Sequence, residues 1–123
     1  MKHYIDGFVL CVPKNKVAAY RKMSELAGKV WMEHGALQYV EAIGNDFHGM
    51  PEALGFPKMA RAKKGEAIMF SWIMYNNKAH RNAVNAKVIK DKRLDNYADK
   101  PMPFDMKRMA YGGFVTIVDK KRK

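Results

Sequence analysis

The stretch AIMFSWIMY, residues 67–75, carries the strongest strand signal in the chain. Successive side chains of a strand point to opposite faces, so the stretch presents two sets of residues. Both sets are mostly apolar: Ile68, Phe70, Trp72 and Met74 on one face, and Met69, Ser71, Ile73 and Tyr75 on the other. A strand with water on one face is normally polar at every second position. We therefore predict that both faces of this strand are covered.

On either side of this strand the chain alternates between strand and helix patterns. Extended apolar segments predict three more strands, at residues 3–13, 36–44 and 110–118. Amphipathic spacing predicts two helices, at about residues 14–35 and 76–91. The order βαββαβ is typical of the ferredoxin-like fold, which is of the α+β class. It predicts an antiparallel sheet with two helices on one face.

Local signals mark the ends of both helices. Asn15 is the predicted N-cap of the first helix, and Gly35 is its predicted stop. The second helix has two candidate caps, Asn76 and Asn77. The helix boundaries are therefore predicted on side-chain chemistry as well as on hydrophobic spacing.

Two long connections link these elements. Glycine and proline punctuate residues 45–66, so we predict a loop there with a short extended piece at 56–62. Long loops in small domains are usually functional or cover something. The second connection, residues 92–109, ends near Asp105 and Arg108, which we predict to form a local turn or ion pair.

The apolar second face of the sheet predicts an assembly. Two helices on one face leave the other face bare, and monomers rarely expose apolar patches of more than a few hundred Å². A second copy of the same sheet, packed face to face by two-fold symmetry, would cover it. The long loops are an alternative source of part of this cover.

Length and composition favour one soluble domain. We assign residues 1–119 to a single domain and residues 120–123 to a basic tail. Neither a secretory leader nor an apolar run of ~20 residues is apparent, and the single Cys11 excludes an internal disulfide framework. We expect a cytoplasmic protein. The net charge of +11 favours an anionic partner, or else only a solvated basic surface.

Four segments are similar to the YbaA-like proteins, a bacterial family described as a domain of unknown function. The segments are YIDGFVLCVPK, AGKVWMEHGALQYVEA, FSWIMYNNKAHRNAVNAKVIKD and MPFDMKRMAYGGF. The resemblance implies membership of the dimeric α+β barrel superfamily, in which two ferredoxin-like sheets form one barrel. That superfamily includes cofactor-free monooxygenases of antibiotic biosynthesis, heme-degrading enzymes and ligand binders, and fold alone does not choose among them. The family offers no catalytic residues to carry over.

A small apolar pocket with a few polar groups is the usual form of a ligand site. The candidate ligand-binding residues combine aromatic rings with polar side chains: Trp31, His34, Trp72, Asn85, Phe104 and Arg108. The alternative for the two tryptophans is core packing. For Asn85 we expect a polar contact toward the last loop.

Catalytic candidates are few, namely His34, Asp6 and Ser71. Asp6 and Glu41 lie within strands, and acid–base chemistry would need both carboxylates in one cavity. The alternative is an ion pair between Asp6 and one of the many basic residues. The alternative for His34 is an interaction with the end of the first helix.

Metal and nucleic-acid sites are not favoured by the pattern. The four histidines lack the spacing of metal motifs, so we expect no metal site and no cofactor. The segment AYGGFV is superficially similar to an RNA-recognition signature, but it lies on the last strand. Gly112 and Gly113 are better explained by a bulge or a close backbone approach. Nucleic acid is therefore an unfavoured partner.

Together these observations predict a small homodimeric protein that binds a small organic molecule in a pocket of each subunit. The positive charge favours an aromatic, anionic ligand. A cofactor-independent monooxygenase-like enzyme is the alternative, and a nucleic-acid-binding module is the second alternative.

Overall fold

A computed structural model of the chain describes residues 2–98 and 100–122. Its strands are β1 (Tyr4–Pro13), β2 (Gln38–Ile43), β3 (Glu66–Tyr75) and β4 (Ala110–Val115). Its helices are α1 (Val17–Glu33), α2 (Phe56–Met59), α3 (Lys78–Ile89) and α4 (Asp95–Ala98). Single 3-10 turns occur at Lys14–Lys16, Lys92–Leu94 and Met106–Arg108. None of the helices in these ranges is long and apolar enough to cross a bilayer.

The four strands form one sheet in the order β2-β3-β1-β4. Every neighbouring pair is antiparallel, and β1 is paired along its length with β3. This order and the succession of elements confirm the predicted ferredoxin-like α+β fold.

Both long helices, α1 and α3, pack on the same face of the sheet, which we call the helical face. One core cluster joins Val30 of α1 and Val84 of α3 to Tyr75 of β3. A second cluster joins Tyr20 of α1 to Leu10 of β1 and to Met69. The prediction of two helices on one face is therefore confirmed.

The opposite face of the sheet, which we call the open face, is apolar and largely bare. Phe70 is 46% exposed and Phe114 is 62% exposed. Gly7 and Gly112 are paired across β1 and β4, and the Phe114 ring lies over both glycines. The centre of this face is therefore a shallow apolar depression.

The first long loop covers one end of the open face. The predicted extended piece at 56–62 is wrong, because residues Phe56–Met59 form a helical turn with Pro57 in its first positions. Proline fits the start of a helix, where its missing N–H is not needed. Ala60 at the end of this turn packs on Cys11 and Ile68. The loops therefore supply part of the cover, and the rest of the face stays bare.

The cap predictions had mixed outcomes. Gly35 has a φ of +114° just after α1, as predicted for a helix stop. Of the two candidates for α3, Asn77 is the cap, and its Oδ1 accepts a hydrogen bond of 2.8 Å from the backbone N–H of His80. The Asn15 prediction is wrong, because a 3-10 turn at Lys14–Lys16 precedes α1 and Lys16 takes the N-cap position without a side-chain bond.

Candidate ligand-binding cavity

A cavity of about 250 Å³ lies between α1 and the helical face of the sheet. Six aromatic residues border it: Phe8, Tyr20, Trp31, Tyr39, Trp72 and Phe104. Three polar side chains border it as well: Ser24, Glu41 and Ser71. The last long connection closes one side through Phe104, whose ring meets that of Tyr20 edge-on at 5.9 Å. Mostly apolar walls with a few polar groups are typical of ligand sites.

Glu41 and two tyrosines form the polar centre of this site. The Tyr20 hydroxyl donates to Glu41 Oε1 at 2.7 Å, and the Tyr39 hydroxyl donates to Oε2 at 3.2 Å. Burial, and secondly the charge of Glu41, raise the pKa of Tyr20 and of Tyr39 above the ordinary value. Both hydroxyls therefore keep their protons at neutral pH and act as donors.

A wider groove of about 620 Å³ runs along the outer side of α1 and β2. It shares four bordering residues with the cavity: Tyr20, Ser24, Tyr39 and Glu41. These side chains therefore form the partition between the groove and the cavity.

Trp31 and Asn85, both predicted ligand residues, are held together in the structure. Trp31 Nε1 lies 3.1 Å from the Tyr75 hydroxyl and 3.1 Å from Asn85 Oδ1, and it donates to both. The Tyr75 hydroxyl also donates to Asn85 Oδ1 at 3.3 Å. Asn85 thus orients the Trp31 ring, while only Trp31 borders the cavity. The expected contact of Asn85 toward the last loop is replaced by this contact with α1 and β3.

Asp6 belongs to a separate buried cluster. It is 2% exposed and accepts from Arg81 Nη1 at 3.2 Å and from the Tyr111 hydroxyl at 3.1 Å. Burial raises the pKa of Asp6 above its ordinary value, and the charge of Arg81 opposes this rise. The ion-pair interpretation of Asp6 is confirmed. Joint acid–base chemistry would require Asp6 and Glu41 in one cavity, but Asp6 does not border the cavity that Glu41 borders.

His34 lies at the end of α1 in a surface network. Its Nε2 is 2.8 Å from Asp91 Oδ2, and Asp91 in turn binds Arg93. Hydrogen bonds from Arg93 and His34 lower the pKa of Asp91 below its ordinary value. The imidazole therefore pairs with Asp91 and does not border the cavity. Ser71 is the one catalytic candidate that does border it.

The two tryptophans lie on opposite faces of the sheet. The Trp72 indole lies on the open face, where it packs edge-on against Phe70 at 5.6 Å. Its Nε1 donates to Gln38 Oε1 at 3.1 Å. Trp72 borders the cavity beneath α1 as well as the open face, so both tryptophans border that cavity although their rings lie on different sides of the sheet.

Arg108 is an anchor between two connections of the chain. Its guanidinium donates to both oxygens of Glu66 at 2.7 Å each, and to Asp105 Oδ2 at 3.0 Å. It also donates to the backbone oxygen of Arg61 at 3.0 Å. The predicted pairing of Asp105 with Arg108 is confirmed, while Arg108 itself lies outside the cavity that Phe104 borders.

Comparison with known proteins agrees with this fold. A family model described as "Protein of unknown function (DUF1428)" matches residues 3–106. The chain belongs to this family. It is also 42% identical, over 118 residues, to the uncharacterized protein YbaA of Escherichia coli K12, covering 94% of the chain and 97% of YbaA. The YbaA of Shigella flexneri matches to the same extent.

Among solved structures, the DUF1428 chain is similar to a dimeric ferredoxin-like protein from an uncultured marine organism. The TM-score is 0.59 at 12% identity, with 99% of this chain and 100% of that one covered. This likeness supports the fold. The YbaA-like resemblance read from the sequence is confirmed by the family match.

The structure also identifies two site residues that the sequence pattern left unassigned, Tyr20 and Tyr39, beside Glu41, which was considered only as an acid–base partner of Asp6. Tyr20 lies on the buried stripe of α1, while Tyr39 and Glu41 are two positions apart on β2 and therefore share a face. The two-residue spacing of Tyr39 and Glu41 indicates in the sequence that they share a face of β2, but it does not reveal whether the helices cover that face. Within the described part of the DUF1428 chain, no group of three metal-ligating side chains lies together.

Proposed function

We propose that this DUF1428 protein is a homodimer that binds a small organic molecule in the cavity beneath α1 of each subunit. The observation that carries the proposal is a cavity of about 250 Å³ with aromatic walls and a charged polar centre. A polar group in an apolar wall is costly unless it is satisfied, so a polar centre beside free volume favours a specific occupant. A cytoplasmic location is part of the proposal, since the lone Cys11 is a free thiol.

The open face supports the dimer. Its centre is lined almost entirely by apolar side chains, including the half-exposed Phe70 and Phe114. None of the four strands contains lysine or arginine, so the face lacks the cations that a nucleic-acid backbone would need. A second copy of the same apolar surface is the better match. The marine ferredoxin-like structure, whose fold this chain shares, is itself described as dimeric.

Sedimentation equilibrium tests the dimer. We expect wild-type protein to sediment at twice the chain mass of 14.1 kDa. Phe70→Asp places a charge in the proposed interface and should give a monomer. Ile89→Asp is the matched control, because Ile89 is 81% exposed on α3, away from the open face, and should leave the dimer intact. A monomeric wild type, or a Phe70→Asp dimer of unchanged affinity, would contradict the proposal.

Native mass spectrometry tests the pocket. We expect protein purified from its own source to retain a small molecule of reproducible mass. Ala27→Leu adds side-chain volume inside the cavity and should abolish that mass, while the exposed Ala19→Leu on the same helix should not. Equal retention by both variants would show that the molecule binds elsewhere.

The monooxygenase alternative receives less support. Of the three catalytic candidates only Ser71 borders the cavity, since Asp6 is held in an ion pair with Arg81 and His34 contacts Asp91, both outside it. Oxygen consumption with a quinol substrate would support the monooxygenase alternative if the Ala27→Leu variant no longer consumed oxygen. Consumption that was unaffected by His34→Ala would agree with the position of His34 beside Asp91.

A further inference from the structure

Glu41 differs from the other carboxylates that form hydrogen bonds with side chains. Six carboxylates form ion pairs with arginine: Asp6, Glu25, Glu33, Glu66, Asp91 and Asp105. Glu41 has no lysine or arginine nitrogen within 4.0 Å among residues 2–98 and 100–122. This half-buried carboxylate therefore has no cationic partner within the described part of a chain that is rich in lysine and arginine.

The two tyrosines do not replace a counter-ion. An ionised carboxylate has about four lone-pair positions, and the hydroxyls of Tyr20 and Tyr39 use two of them. A neutral hydroxyl supplies a dipole and no net charge. Glu41 therefore keeps both acceptor capacity and negative charge at the edge of the cavity.

The walls around this charge are aromatic rings in fixed positions. The Nε1–H of Trp31 donates to Tyr75 and Asn85 and is not available to a ligand. Trp31 therefore contributes its ring, and not a hydrogen-bond donor, to the wall of the cavity. Its ring lies 6.1 Å from that of Tyr39. The faces of such rings attract cations, and the attraction grows when water is excluded.

We propose that the occupant of this cavity is a small organic cation, such as a protonated aromatic amine, whose charged group binds Glu41 and whose apolar part packs on the aromatic walls. This inference rests on the proposed pocket and names its ligand class. The cavity has about the volume of eight water molecules, at about 30 Å³ each, which suits a single aromatic ring with a short side chain.

The anionic ligand expected from the net charge of +11 is replaced in this proposal by a cation. Among the residues that the structure describes, no lysine or arginine borders the cavity, whereas Glu41 does. Charges on the outer surface are screened beyond about 8 Å at physiological salt. The charge at the site therefore outweighs the charge of the whole chain in selecting the ligand.

The partition gives such a cation a route to the site. Glu41 borders both the outer groove and the cavity, so an ammonium group meets the carboxylate before the apolar part enters. Tyr20 and Tyr39 border both spaces as well and flank the carboxylate on this route.

The test compares benzylamine, which is protonated at pH 7, with benzyl alcohol, which has the same shape and no charge. Binding to wild-type protein is measured by isothermal titration calorimetry at low and at physiological salt. We expect benzylamine to bind at least about tenfold more tightly. Glu41→Gln should reduce benzylamine binding to the level of the alcohol, and Glu41→Asp, which keeps the charge, should restore part of the preference. Thermal unfolding checks that each variant is folded.

The outcomes separate the two proposals. Equal binding of the two compounds to wild type, lost in Ala27→Leu, would overturn the cation inference and leave the pocket in place. A preference for benzylamine that survives Glu41→Gln would overturn the role of Glu41. Absence of binding by either compound would overturn the inference, while retention of a native ligand that Ala27→Leu abolishes would still support the pocket.

Discussion

Replacement of Arg108 by methionine is expected to destabilise the fold strongly. The guanidinium makes two hydrogen bonds to Glu66, and each side chain of the pair is only 10% exposed. Methionine keeps the length of the side chain and removes its charge. Glu66 then keeps the backbone N–H of Lys63 as a donor, at 2.6 Å, and loses its cation. A nearly buried carboxylate would thus be left without a counter-ion.

The magnitude follows from two considerations. Removing one partner of a buried ion pair costs about 3–5 kcal/mol, and the small exposure of this pair puts our expectation near 3 kcal/mol. Independently, the hydrogen bonds from Arg108 are the main cause that lowers the pKa of Glu66 from 4.5 to about 2. That shift corresponds to about 3 kcal/mol, which solvent screening reduces to about 1–2 kcal/mol for the charge interaction alone.

The sign of the pH dependence follows from the same shift. The folded protein binds the Glu66 proton more weakly than the unfolded chain does, so this contribution is complete above about pH 4.5 and is lost as the pH falls toward about 2. In Arg108→Met this part of the stability profile should flatten. The double variant Arg108→Met with Glu66→Gln should recover part of the lost free energy of unfolding at pH 7, because it leaves no buried carboxylate without a counter-ion.

Urea denaturation at pH 7 and at a series of lower pH values measures these free energies of unfolding. Arg21→Met is the matched control, since the pair of Arg21 with Glu25 is exposed at 81% and 69% and should contribute less than about 0.5 kcal/mol. A loss below about 1 kcal/mol for Arg108→Met would refute the anchor role, and Arg108 would again be a candidate ligand residue.

Two further substitutions test the close contacts and the caps. Gly113→Ala should destabilise by about 1–3 kcal/mol in thermal or urea unfolding, because a Cβ there would overlap the Tyr4 hydroxyl, whereas Gly49→Ala meets nothing and should be neutral. Asn77→Ala removes the side-chain acceptor of the His80 N–H and should cost about 1 kcal/mol, with hydrogen exchange faster in the first turn of α3; an unchanged exchange rate would contradict the cap.

Local patterns predicted the fold well where one principle dominated. The apolar side chains on both faces of residues 67–75 identified β3 and the need to cover both of its faces, and the open face is indeed apolar. The roles of Gly35 as helix stop and of Asn77 as helix cap could be predicted because helix ends depend on nearby backbone groups. The loop at 56–62 was misread because Pro57 signals a turn and a helix start equally well.

The candidate site was harder to predict because it depends on contacts between distant segments. Strand alternation separated the two faces of β3 but did not show which face the helices cover. The sequence therefore did not show that the Trp72 ring lies on the open face, although Trp72 and Trp31 both border the cavity. His34 meets Asp91, a partner 57 positions away that no spacing rule connects. Phe104, a bulky ring directly after Pro103, packs back onto the core and borders the cavity.

The place of β1 in the sheet has a consequence for synthesis. The first strand lies in the interior of the sheet, and one of its two neighbours, β4, is the last strand to leave the ribosome. Until then β1 presents an unpaired apolar edge, the kind of surface that promotes association between nascent chains. Pairing between the two ends of a chain also has a high contact order and forms slowly. The sheet of this protein is therefore completed only once β4 has been synthesised, and one edge of β1 stays unpaired until Tyr4 and Val115 meet.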